Sequence, residues 1–175
     1  MQIYHEWRGL RLEVVEYCKE NKISENDFKF INIYKWKNIY DNVVKNFVDD
    51  RYARNHGLHW ANTENGFQKN IDEIYAFQVG VKNNASYDWI ERLPEIVKCE
   101  KVYLILEEKK QRVKYWIAEC SPTIVHLIIN EALWPVDYYI TDMKFNWLIT
   151  ENHHEIVQFI GKGLDMDLIK TICIN

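Results

Sequence analysis

Glu151, Asn152, His153, His154 and Glu155 form the densest run in this chain of groups that can move a proton or bind a cation. A carboxylate beside a histidine is a natural acid–base pair, because imidazole changes charge near neutral pH. On a strand, Glu151 and His153 would share a face, whereas His153 and His154 would point to opposite faces. One histidine at most then joins a given site. A metal centre would need a third ligand. His56 and His59 are the obvious donors, being three residues apart and so neighbours if that segment is helical. The rest of a metal signature is missing, with no HExxH, no HxH, no cysteine pair and no carboxylate-rich neighbourhood. No metal and no cofactor is expected. An enzyme built on this run would use Glu151, His153, His154 and His59.

Other chemistries find less support. Ser24, Ser86 and Ser121 read as helix or turn caps, and none sits in GxSxG. Cys99 and Cys120 fall at strand edges with only the unrelated His126 as a local partner. The glycines make neither GxGxxG nor a phosphate-binding loop. The segment Arg51 to Trp60 interleaves cations with aromatics, which suits stacked bases or an acidic partner, but it suits a surface connector equally well.

The elements that would hold these groups follow from periodicity. Trp7, Leu10, Val14, Val15 and Cys18 share one face of a helix over residues 3–21. Ser24 and Asp27 resemble a capping box. Trp36, Ile39, Tyr40, Val43, Val44 and Phe47 make a broad apolar stripe suited to covering a sheet. Phe67, Ile71, Ile74 and Tyr75 suggest a third helix, and a short fourth runs from Tyr87 to Leu93, kinked or ended by Pro94. From Lys101 the period shortens to two. KVYLILEE and RVKYWIAE form a hairpin with apolar groups on both faces, so cover is expected on both sides. Ser121-Pro122 starts a helix over residues 122–133. A meander follows, with strands near 136–141, 145–151 and 155–160, then a last helix over 165–172. The sum is one α+β domain over residues 1–175. Residues 1–98 are mainly helical and 99–163 are mainly an antiparallel sheet of about five strands, covered by the N-terminal helices.

Composition agrees. Apolar residues make up 47% and aromatics 14% of 175 residues, enough for a packed core. The net charge of −4 argues against a nucleic-acid partner, which would call for a basic face. Cys18, Cys99, Cys120 and Cys173 form no CxxC pair and read as reduced thiols. The first residues lack the apolar stretch of a signal peptide, and no run reaches the ~18 apolar residues of a membrane span, so a cytoplasmic location is expected.

Several pieces of the second half carry a resemblance. They are Trp89-Ile90-x-x-Leu93-Pro94, Val102-Tyr103-Leu104-Ile105, Tyr115-Trp116-Ile117 and Asp137-Tyr138-Tyr139-Ile140, followed by Trp147-Leu148-Ile149-x-Glu151-Asn152-His153-His154. Over residues 86–163 the chain resembles small uncharacterised bacterial proteins that look like the cytoplasmic immunity proteins accompanying polymorphic toxins. That resemblance implies a protein-binding role and no active site. The first expectation is therefore a non-enzymatic module that docks on a toxin-like protein, with Trp60, Trp89, Trp134, Asn152 and His154 on the docking surface. The alternatives are a small His/Glu hydrolase or nuclease-like enzyme, with or without metal, and a structural or oligomerising domain.

Overall fold

The computed structural model describes residues 9–59, 61, 66–67, 74–78, 87–109, 113–132 and 137–174. The shortened period produces strands β3 (Val102–Lys109) and β4 (Val113–Cys120), paired antiparallel from Val102 opposite Cys120 to Lys109 opposite Val113. The meander supplies β5 (Tyr138–Asp142), β6 (Trp147–Glu151) and β7 (Ile156–Gly161). These five strands are the sheet expected from the second half. Two more strands lie at its edges and come from the first half: β1 (Phe28–Phe30) on β4, and β2 (Ile74–Gln78) on β7. Among the described residues the sheet therefore has seven antiparallel strands in the order β1-β4-β3-β5-β6-β7-β2.

Both additional strands correct the sequence reading. Ile74 and Tyr75, placed at the end of a third helix, lie in β2, where pairing with Phe159 and Ile160 overrides a short helical pattern. Ser24 and Asp27 do form reciprocal bonds, Oγ to Oδ2 at 2.6 Å and the Asp27 amide to Oγ at 3.2 Å. They close the turn that enters β1 rather than starting a helix.

Alternation along the strands gives the sheet two apolar faces. One carries Leu104, Leu106, Ala118, Ile140, Ile149, Val157 and Phe159. It is covered by helices α1 (Leu10–Glu20), α4 (Leu93–Ile96), α5 (Pro122–Leu127) and α6 (Met166–Ile174). The other carries Ile105, Ile117, Tyr139, Leu148 and Ile160 beneath Ile39, Val43 and Phe47 of α2 (Ile33–Phe47). Each of these three α2 side chains contributes about 1.5–3 kcal/mol by leaving water. The cover is thus drawn from both halves of the chain, not mainly from the N-terminal helices. The α1 stripe is also narrower than its spacing suggests. Leu10 and Val14 are buried but Val15 is 46% exposed. Among the residues described, the first helix begins at Leu10, and its first amide donates to Glu108 Oε1 at 3.1 Å. Pro94 sits in the first turn of α4, where its missing N–H costs nothing, so it begins that helix instead of ending the previous one. The helix expected over 122–133 is α-helical to Leu127 and widens to a π turn over Ile128–Ala132. No helix among the described residues is long and apolar enough to cross a membrane.

Candidate functional site

The polar end of the meander is a turn, not a strand. β6 stops at Glu151 and β7 begins at Ile156. The Glu155 amide donates to the Asn152 carbonyl at 2.8 Å, closing a turn with His153 and His154 as its two central residues. Asn152 is the organiser. Its Oδ1 accepts the amides of His154 at 2.9 Å and Ile156 at 3.1 Å. The alternation rule therefore does not apply to the histidines. Their rings lie against one another, with centroids 4.1 Å apart, because both project from the turn.

Turn geometry also separates Glu151 from His153. Glu151 points to the α1 side of the sheet, where its carboxylate accepts from the Tyr138 hydroxyl and the Trp89 side chain. Burial holds its carboxyl above the ordinary range. His153 pairs instead with Asp137, whose Oδ1 accepts the His153 amide at 3.0 Å and lies 2.9 Å from its Nδ1. Asp137 is buried, while the His153 side chain is 37% exposed.

His59 has found a carboxylate of its own. Its Nδ1 lies 2.9 Å from Oε1 of Glu107, a residue with no exposed surface at all. Glu107 follows Tyr103 and Ile105 on the α2 face of β3, a position the alternation reserves for core. The loop bearing His59 is fixed to the sheet by its neighbour Leu58. The Leu58 amide donates to the Tyr40 hydroxyl at 3.0 Å, and its carbonyl accepts from the Tyr139 hydroxyl at 3.2 Å. Gly57 makes this approach possible. It leaves α3 (Asp50–His56) at φ +60° and ψ −126°, and a Cβ there would collide with the Tyr40 hydroxyl.

The two pairs adjoin. The Glu107 amide donates to the Asp137 carbonyl at 2.9 Å, continuing the β3–β5 ladder by one residue. The carboxylates face the same side, since residues directly opposite on paired strands share a face, and both raise the phenols of Tyr115 and Tyr139. Burial is the first cause of those rises, so both tyrosines stay protonated and serve as neutral hydroxyls. Tyr40 packs with them, its ring 5.0 Å from that of Tyr115.

A carboxylate on Nδ1 does two things to an imidazole. It fixes the ring's orientation and its tautomer, and so leaves Nε2 to exchange protons. Two imidazoles held in this way have the chemistry of a general base and a general acid. The described residues contain no group of three or more His, Cys, Asp or Glu placed to hold a metal.

Of the residues singled out from sequence, His59 and His153 each pair with a buried carboxylate, and the two carboxylate residues are joined by a backbone hydrogen bond. The His154 ring lies tilted against that of His153 and Asn152 frames their turn, whereas Glu151 lies across the sheet. His56 is exposed at the end of α3. Trp89 does not belong on a docking surface, being 1% exposed and packed edge-on against Phe159 at 5.4 Å. Trp60 and Trp134 lie outside the described residues. Sequence reading missed Glu107, Asp137 and the three tyrosines. The available signal was Glu107 itself, a charge in an interior phase of a strand apolar on both faces.

A family model matches residues 6–171, and the chain belongs to that family, the family of unknown function DUF6756. No curated protein and no solved structure matches the chain.

Proposed function

We propose, for this member of a family without an assigned activity, that the two histidine–carboxylate pairs are an acid–base centre and that the protein is a small hydrolytic enzyme. One observation carries the reading: two Nδ1–carboxylate contacts of 2.9 Å, on neighbouring strands joined through the Glu107 amide and the Asp137 carbonyl. In it, His59 and His153 exchange protons with substrate and leaving group. Glu107 and Asp137 orient them, and the protonated tyrosines donate hydrogen bonds. A panel of p-nitrophenyl carboxylic esters, phosphomonoesters and phosphodiesters tests this. At least one should be turned over, and His59→Gln or His153→Gln should each cut kcat by about 10²–10⁴. No turnover, or turnover indifferent to the double variant, defeats the reading.

A second reading keeps the role that the immunity-protein resemblance implies. It is favoured by Ile33 and Tyr34, 66% and 90% exposed at the start of α2 in a chain of net charge −4. Exposed apolar anchors suit docking on a protein, and a net negative chain suits a basic, toxin-like one. Co-purification with the product of an adjacent gene, lost on Ile33→Asp/Tyr34→Asp, tests it. Intact binding by that variant argues against it.

A further inference from the structure

Thr150 and Gln158 face each other across β6 and β7 on the α2 side of the sheet. Thr150 Oγ1 and Gln158 Oε1 are both buried, and neither has a hydrogen-bond partner among the described residues. Thr150 has no exposed surface. On its other side it stands opposite Tyr139, whose hydroxyl reaches Glu107 at 3.4 Å. Asp137 lies two residues before Tyr139 on the same face, about 7 Å along the strand. The two unpartnered atoms thus sit one row behind the acid–base centre.

Leaving two adjacent polar atoms dry in a core is costly, at about 1–3 kcal/mol each. Their chemistry specifies what would relieve the cost. Gln158 Oε1 needs a donor, Thr150 Oγ1 takes either role, and the occupant must be small enough to lie between a sheet and its covering layer. Water meets all three conditions, and an anion without protons fails the first.

We propose that Thr150 and Gln158 hold an internal water that supplies the reaction at the Asp137–His153 pair. This rests on the acid–base reading and names its second substrate. One water proton passes to Nε2 of the unprotonated imidazole, and the oxygen bonds to the electrophilic carbon or phosphorus. The leaving atom takes a proton from the other, protonated imidazole. The sum is H and OH added across the bond that breaks, and solvent exchange restores the histidines.

Thr150→Val separates the outcomes, because it keeps the shape and removes the hydroxyl. If the hydroxyl is dry, the variant is as stable as the parent or more so. If it holds water, the variant orphans that water and Tm falls by several degrees. Water-to-amide cross-relaxation in labelled protein gives a reading independent of activity, with a long-lived signal expected at the amides flanking Thr150 and Gln158 and lost in the variant. An unchanged or raised Tm overturns the site, and so does a fall in Tm without that water signal, which would mean a direct Thr150–Gln158 bond. On any ester that the parent hydrolyses, kcat should fall at least tenfold with KM unchanged, and an unaltered kcat overturns the catalytic role. If no ester is turned over, the acid–base reading fails and takes the role with it, while the water site stands or falls on the first two measurements.

Discussion

Glu107 donates its amide to the carbonyl of Asp137, and each of the two residues holds a histidine by its side chain. One backbone hydrogen bond between neighbouring strands therefore sets the spacing of two imidazoles that are far apart in sequence. His59 arrives on a loop after α3 and His153 on the β6–β7 turn, and neither loop sets the geometry alone.

The first consequence concerns Gly57. Its positive φ and the closeness of Tyr40 leave no room for a side chain. Gly57→Ala should cost more than about 1 kcal/mol in thermal or urea unfolding. It should also free the His59 ring from Glu107, seen as a changed imidazole tautomer in nitrogen-15 spectra. Unperturbed His59 signals would show that the loop has another anchor.

The histidine turn makes a paired prediction. Glu155 takes φ +60°, a conformation that favours glycine, and its side chain is exposed. Glu155→Gly should stabilise the protein by about 1 kcal/mol. Asn152→Ala should destabilise it by about 1–3 kcal/mol, because two amides lose their acceptor. Guanidinium melts of the two variants should move in opposite directions.

Glu151 should show its burial in the pH dependence of stability. Its folded carboxyl is held above the ordinary value of 4.5 by desolvation, so the folded state binds the proton more tightly than the unfolded chain does. The resulting stability is complete below pH 4.5 and is lost as pH rises through the folded value. Glu151→Gln should therefore raise Tm at pH 7 and flatten the slope above pH 4.5. A lower Tm at pH 7 would show that the charged form is the stabilised one.

The buried phenols act in the alkaline range with the same sign. Tyr115 and Tyr139 are held above their ordinary value of 10, first by burial and then by Glu107. Stability should decline above about pH 10, where the unfolded chain releases protons that the folded chain retains. Glu107→Gln should let both tyrosines ionise at lower pH in a phenolate absorbance titration, although burial will keep them above exposed tyrosine.

The elements legible in the sequence were those whose burial pattern is periodic on its own. The β3–β4 hairpin, the three meander strands and the α2 stripe each carry their register in their residues. Phe28–Phe30 is too short for a period to show, and Ile74–Gln78 becomes a strand only because β7 offers it a ladder. The site was half legible for a related reason. The histidines announce themselves by type. Their carboxylates do so only in part: Glu107 stands out as a charge in an interior phase of β3, but neither it nor the loop acid Asp137 shows its histidine until tertiary contact joins them. The strand limits 145–151 and 155–160 leave Asn152 to His154 between strands, and only the placing of the histidines on opposite faces fails, because a turn does not keep the strand's alternation.

The seven-stranded sheet is closed at both margins by segments from the first half of the chain, β1 and β2, while β3 to β7 follow one another through local connections. Three of the inner pairings are between strands consecutive in the chain, and the fourth, β3 with β5, spans from Val102 to Asp142. The margins must instead cross long intervals, from Phe28 to Cys120 and from Ile74 to Ile160. Assembly thus has an order written into the topology, interior first and perimeter last. The Gln78 side chain on the late-arriving β2 donates to the His154 carbonyl at 3.2 Å, so the histidine turn gains its last brace only when that perimeter shuts.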